Sequence, residues 1–317
     1  MRSIFLGTPR AAVPILRAIL DAGHDVPLVV TRPDRPAGRS RRPVAPPVKL
    51  AALEAGLRIV QPTKLKTRAF AEELASCRPD LLVVVAFGRI LSRRVLDVAR
   101  FGAVNVHFSL LPELRGAAPV QWALARGDAT TGITTMLMNE KMDEGDILSQ
   151  REVEIDPGEH APSLERRLSQ LGCGLLLDTL EGLESGSIRP RPQDHSAATL
   201  APLLSREDGQ VDPGLSAAEV AGRVRGFDPW PGVWLRRHGR RLRIVRAAPL
   251  PGPISTALPG TLTEATEEGL VMACGHGTRL LLIEVQPDGR RRMGALDAVN
   301  GRQLSVGDRL EPVPQTG

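Results

Sequence analysis

The sequence predicts an α/β protein in which a doubly wound, mostly parallel, Rossmann-like sheet is followed by a small OB-like β-barrel. Three observations carry this expectation. Strand-like and helix-like segments alternate through the amino-terminal part of the chain, which argues for parallel strands joined by helices. Leu81–Phe87 is continuously apolar, as a strand covered on both faces should be. Beyond a proline-rich stretch, the pattern changes to short strands with glycine-marked turns.

Taken in order, Ser3–Gly7, Asp25–Thr31, Arg58–Gln61, Leu81–Phe87, Val104–Phe108 and Ile133–Met138 read as strands. Between them Pro9–Ala22, Val48–Ala55, Thr67–Ser76 and Ile90–Ala99 read as helices, and Ser163–Glu181 as a further one. A linker rich in proline and polar residues starts at Arg189. Ser216–Phe227 reads as a helix. Val233–Arg237, Arg241–Ala247, Gly260–Thr263, Leu270–Ala273 and Leu280–Val285 then supply the five strands of the barrel. The expected domains are residues 1–204, with a basic loop at 32–48, and 205–317.

At 317 residues the chain has length for two cores. Its opening apolar run stops at Gly7, too short for a signal peptide, and no apolar run approaches the ~18 residues of a membrane helix. A cytoplasmic protein, acting as a monomer, is expected. Cys77, Cys173 and Cys274 are odd in number and far apart, a pattern of neither a disulfide framework nor a zinc site, so no metal is expected. Of 41 basic residues only four are lysine, leaving 41 − 4 = 37 arginines, whose planar forks suit phosphate. They cluster. Arg32–Lys49 holds six basic residues against the single acid Asp34, and Arg236–Arg246 holds six arginines and no acid. Aromatic residues make up 3% and tyrosine is absent, so nucleic-acid binding would rest on charge and shape rather than base stacking.

The first strand ends Gly7-Thr-Pro9, where a dinucleotide-binding turn would need further glycines. That argues against a nicotinamide-dependent oxidoreductase. In Gly102–Pro112, strand periodicity puts Asn105 and His107 on one face, an amide and an imidazole suited to stabilising a developing oxyanion. The polar loop after Ile133–Met138 holds Asp143 and Asp146, and a carboxylate there could fix the His107 tautomer.

Together, Asn105-Val-His-Phe-Ser-Leu-Leu-Pro112, Arg115-Gly-Ala-Ala-Pro-Val-Gln121 and Met142-Asp-Glu-Gly-Asp146 resemble the signature of the folate-dependent formyltransferases. The resemblance implies Asn105, His107 and Asp143 as the catalytic set. It implies Phe87, Gly88, Ile90, Leu91 and the turn Ser109, Leu110, Leu111 and Pro112 as the residues holding 10-formyltetrahydrofolate, the formyl donor. Thr31-Arg-Pro-Asp-Arg-Pro-Ala-Gly-Arg39 resembles the loop peculiar to the branch that formylates methionyl-initiator tRNA, and Asp228-Pro-Trp-Pro-Gly-Val-Trp234 the start of that branch's second domain. In that reading tRNA is met by Arg32, Arg35, Arg39, Arg41 and Arg42 on the loop, with Arg39 foremost. In the second domain it is met by some of Arg236, Arg237, Arg240, Arg241 and Arg243. The same catalytic set would serve formylation of glycinamide ribonucleotide or hydrolysis of the formyl donor, so the loop and second domain decide the acceptor; a catalytically impaired RNA-binding relative is the remaining alternative. Phe108, Asn139, Lys141 and Glu144 depart from the usual pattern.

Overall fold

A computed structural model gives the conformation of residues 1–37 and 42–312. The chain divides into two compact units. One comprises Met1–Pro119, Thr131–Val153 and Glu165–Pro202; the other comprises Val120–Thr130, Glu154–Leu164 and the chain from Leu203.

The first unit is built on a seven-stranded sheet. Its strands are β1 (Arg2–Gly7), β2 (Asp25–Val30), β5 (Ile59–Val60), β6 (Leu81–Val85), β7 (Ala103–His107), β9 (Thr130–Leu137) and β10 (Ile147–Glu154), in the order β10-β9-β7-β6-β1-β2-β5. The pairs β2–β5, β1–β2, β1–β6 and β6–β7 are parallel, and β9 runs antiparallel to β7. Between them lie β3 (Arg35–Ala37) and β4 (Arg42–Val44), which pair as a hairpin, and β8 (Arg115–Gly116). Ile4, Leu6, Leu28, Val30, Leu82 and Val84 lie on one face and pack against Phe70, Ala71 and Leu74 of α3 (Arg68–Ser76). Alternate positions such as Phe5 and Val83 are equally buried. Burial on both faces explains the continuous apolar runs.

Helices α1 (Val13–Asp21) and α2 (Pro47–Glu54) lie close to their expected places. The helix expected over Ile90–Ala99 shrinks to α4 (Arg93–Leu96), because positive φ at Ala86 (45°) and Gly88 (67°) turns the chain into a loop leaving β6. Two eight-residue elements, besides several shorter ones, escape the periodicity: α5 (Pro119–Arg126), all but its first residue in the second unit, and β10, whose first two residues are buried and whose second half is largely solvated. The long helix α6 (Ala161–Ser185) meets the sheet through the Thr179 and Thr135 hydroxyls (2.8 Å), while Ser169 Oγ donates to the Ala11 carbonyl at 2.6 Å. Its remaining strand, β11 (Leu200–Ala201), pairs with β8.

In the second unit, α7 (Ala217–Gly226) starts with a capping box in which Ser216 and Glu219 satisfy each other's backbone N–H. Strands β12 (Val233–Arg237), β13 (Arg240–Leu250), β14 (Leu262–Thr266), β15 (Gly269–Ala273) and β16 (Arg279–Pro287) form an antiparallel sheet in the order β12-β13-β16-β15-β14. Arg309 pairs with Thr261 and Glu311 with Arg236, so one terminal segment touches both edges and closes the sheet. Two short elements, β17 (Met293–Gly294) on β16 and α8 (Ala295–Asn300), complete the unit. Val233, Leu235, Leu242 and Ile244 point inward, and the arginines alternate outward. The three cysteines are free thiols; burial pushes the Cys274 thiol up to about 12. Among the described residues, no helix is long and apolar enough to cross a membrane.

Candidate active site

The carboxyl ends of β1, β6 and β7 lie level, with Gly7 opposite Val85 and Val85 opposite Val106. Open parallel sheets bind ligands at this edge. Asn105 and His107 stand there, two residues apart on β7, with only 8% and 6% of their surfaces exposed. Buried polar groups of this kind need partners. Asn105 finds one in Asp143, in the loop between β9 and β10, and the same carboxylate faces His107. Its Oδ1 accepts from Asn105 Nδ2 at 3.4 Å, while Oδ2 lies 3.8 Å from His107 Nδ1. Oδ2 also accepts the Gly116 backbone N–H at 2.9 Å.

His107 Nε2 lies 3.1 Å from the Leu114 carbonyl oxygen. A carbonyl only accepts, so Nε2 carries the hydrogen and Nδ1 is the nitrogen facing Asp143. In the neutral ring Nδ1 is an acceptor; protonated, it becomes a donor aimed into the site.

The loop carrying Asp143 is tightly determined. Asp143 has φ +55°, a left-handed conformation that aspartate tolerates better than most residues with a side chain. Gly145 cannot be replaced freely, because a Cβ there would stand 1.7 Å from the Leu137 carbonyl oxygen. The stretch expected to be a linker closes around this loop. Arg191 exchanges backbone bonds with Ile147, and the Thr199 hydroxyl accepts from the Leu114 N–H at 2.9 Å. The buried Gln193 lies against the Asp143 loop and against Arg115, itself only 6% exposed. Residues that brace the site through their backbones, Leu114 and Gly116 among them, carry no side-chain signal that sequence reading could use.

Glu144 turns its charge to Lys141 at 3.3 Å and lies 4.0 Å from His195 Nδ1, and Phe108 is buried. Of the residues assigned to the folate, Phe87, Leu91, Ser109 and Leu111 are buried, and Ile90 is 57% exposed. Gly88 carries the turn, with its carbonyl accepting from the Arg32 guanidinium. Ser109 Oγ donates to the Glu113 carbonyl at 2.6 Å, bracing the turn through Leu110 and Pro112.

Of the loop arginines, Arg39 and Arg41 lie outside the described residues, as does the Arg42 side chain. The loop is tied at its base, where Lys49 Nζ binds both Asp34 oxygens (2.9 and 2.8 Å) and Gln61 donates to Oδ1. Lys49 first, then Gln61, hold the Asp34 carboxyl below its ordinary range. Arg35 is exposed, whereas burial, then the charges of Arg35 and Arg89, push the Arg32 guanidinium down. In the barrel, Arg240 and Arg241 are exposed and Arg236 folds back on the Gly239 carbonyl. Two others are engaged: Arg237 with Asp308 (2.5 Å), and Arg243 with Asp228 (3.1 Å) and the Pro229 carbonyl. Among the described residues, no group of three or more His, Cys, Asp or Glu is arranged to hold a metal ion.

Residues 1–180 match the formyl transferase family and residues 203–303 its C-terminal domain. The methionyl-tRNA formyltransferase of Acidobacterium capsulatum is 48% identical, covering 98% of this chain and 99% of its own. That of Bacillus subtilis is 41% identical, covering 98% and 97%. Among solved structures, an N-formyltransferase from Helicobacter canadensis, in complex with folinic acid and dTDP-3-aminofucose, shares the fold. Its TM-score is 0.67 at 15% identity, covering 90% of this chain and 99% of that one. HypX from Aquifex aeolicus, in complex with tetrahydrofolic acid, also shares it, with TM-score 0.63 at 17% identity. That match covers 96% of this chain but only 48% of HypX, so the chain spans about half of HypX. With full-length relatives at these identities and both family regions present, the chain belongs to the methionyl-tRNA formyltransferase family.

Proposed function

We propose that the chain transfers the formyl group of 10-formyltetrahydrofolate to the α-amine of methionyl-initiator tRNA, with Asn105, His107 and Asp143 as the acting groups. The observation that carries this is the convergence of Asn105 Nδ2 and His107 Nδ1 on one carboxylate, Asp143.

The neutral amine attacks the formyl carbon, and the carbonyl oxygen becomes an oxyanion. Asn105 carries two amide hydrogens; with one directed at Asp143, the other serves the oxyanion. Protonated His107 donates to the same oxygen from Nδ1, since Nε2 is held by Leu114. Asp143 receives the proton lost by the attacking nitrogen, directly or through a water. The carbon–N10 bond then breaks as N10 of the folate takes a proton from His107 or through that water, the proton held by Asp143 makes good the loss, and the oxyanion collapses to the carbonyl of the formamide on the tRNA. Phe87, Gly88, Ile90, Leu91 and the Ser109–Pro112 turn hold the folate beside this edge. The chain acts as a monomer in the cytoplasm, with residues 1–204 as the catalytic part and residues 205–317 binding tRNA.

The test is a comparison of acceptors: methionyl-initiator tRNA, glycinamide ribonucleotide and water. The tRNA is expected to be formylated with kcat/KM at least ~10²-fold above the ribonucleotide, the scale that missing contacts produce. Equal use of the ribonucleotide, or hydrolysis alone, would overturn the assignment of acceptor.

Recognition of tRNA is assigned to Arg32, Arg35, Arg39, Arg41 and Arg42 of the loop and to the exposed barrel arginines Arg240 and Arg241, with Arg236, Arg237 and Arg243 held closer to the protein. Arg39→Ala is expected to lower kcat/KM for methionyl-initiator tRNA by roughly 10–100-fold, about 1.4–2.7 kcal/mol. Hydrolysis of the formyl donor should stay unchanged; an equal loss of both activities would make the loop structural.

A further inference from the structure

Accepting the reading that Asp143 acts in formyl transfer, the geometry points to Gln193, held by Arg115, as the residue that positions Asp143 for reaction. Gln193 Nε2 donates to the Asp143 carbonyl at 2.9 Å and to the Gly145 carbonyl at 2.7 Å. Its Oε1 accepts from Arg115 Nε at 3.0 Å and from Nη2 at 2.7 Å. Two carbonyls demand a donor and a guanidinium demands an acceptor, so the orientation of the amide is fixed by its surroundings.

The pair spans the turn that sets the Asp143 side chain. Asp143 holds φ +55°, a region aspartate tolerates better than most residues, so the aim of its carboxylate depends on what holds the peptide planes on either side. Gln193 clamps the carbonyls on both sides of Glu144, and so fixes the peptide planes that aim the carboxylate at Asn105, His107 and Gly116. Arg115 places a positive charge behind the amide oxygen. That polarises the amide and strengthens both bonds donated by Nε2. Both side chains are 6% exposed, so little water is available to replace a lost bond. All four bonds would also pin the Arg189–Thr199 stretch, so the positioning role is told from pinning alone by its effect on kcat in a folded protein.

Gln193→Glu separates these roles. The carboxylate keeps the Arg115 partner but has no donor for the two carbonyls, and its charge repels them. Wild type, Gln193→Glu, Asp143→Asn and the double variant are assayed with methionyl-initiator tRNA and 10-formyltetrahydrofolate, with folding at the assay temperature checked by circular dichroism. Gln193→Glu is expected to lower kcat by roughly 10–100-fold, the scale of a misplacement of about 1 Å, with both KM values within about threefold of wild type. In the Asp143→Asn background it should cause no further loss beyond about twofold, because a residue acting through Asp143 has nothing left to position. If Gln193→Glu does not fold, Gln193→Met, near in size and lacking both donor and charge, takes its place with the same expectations. A kcat within threefold of wild type, or losses that multiply in the double variant, would overturn the inference. So would failure of both Gln193 variants to fold, which would make the residue a structural one. Absence of formylation by the wild type would instead overturn the reading of the reaction itself.

Discussion

His107→Ala is expected to lower kcat by roughly 10²–10⁴-fold, the range for a lost acid–base group or oxyanion donor. The side chain is buried, with Nε2 committed to the Leu114 carbonyl, so Nδ1 is the one nitrogen free to act on the reacting atoms. Alanine removes that donor and also leaves Asp143 without its imidazole neighbour at 3.8 Å. Dissociation constants for tRNA should stay within about threefold, because no phosphate contact is assigned to His107; steady-state kinetics together with direct tRNA binding measure both. A turnover within threefold of wild type would remove His107 from the catalytic set.

Gly145→Ala should act on the fold and the chemistry together. A Cβ would lie 1.7 Å from the Leu137 carbonyl oxygen and 3.3 Å from Met136 Cε, so backbone must give way in β9 or in the Asp143 loop. Forced overpacking of this kind costs about 1–3 kcal/mol. The loop is the softer side, since β9 is held by the sheet on either edge. Displacing it moves Asp143, so kcat should fall by about 10²-fold even in the folded fraction. Chemical denaturation and kinetics on the same preparation separate the two effects. An unchanged stability would mean the loop accepts the methyl group without strain.

The parallel sheet and the placement of Asn105 and His107 were legible because both follow from local regularities. A strand buried on two faces must be apolar throughout, as Leu81–Val85 is, and a period of two puts Asn105 and His107 together. Asp143 needed the family resemblance, since a loop with several acids has no periodicity to fix which one turns inward. The site's bracing was not legible. Gln193 sits between Pro192 and Asp194 in a stretch whose composition reads as linker, yet it is buried because it bonds to a loop fifty positions away. Likewise Ile90–Ala99 has helical periodicity but follows Ala86 and Gly88, whose positive φ diverts the chain at the sheet edge. The barrel arginines divide for a similar reason. Burial pushes the Asp308 carboxyl up, but Arg237, the Ser305 N–H and His238 outweigh it and hold the group below its ordinary value. Pairing of that kind draws Arg237 into the structure of the barrel, whereas Arg240, opposite it in the hairpin, is exposed.

Single-turnover formylation with enzyme in excess over methionyl-initiator tRNA tests most directly whether the β7 site carries the reaction. Saturating 10-formyltetrahydrofolate and protein well above the tRNA dissociation constant remove binding from the rate, leaving the chemical step. Wild-type protein should convert the bound methionyl-tRNA to formyl-methionyl-tRNA in one exponential phase, and His107→Ala should do so roughly 10²–10⁴-fold more slowly with the same final yield. Equal single-turnover rates in the two proteins would contradict the assignment of formyl transfer to Asn105, His107 and Asp143.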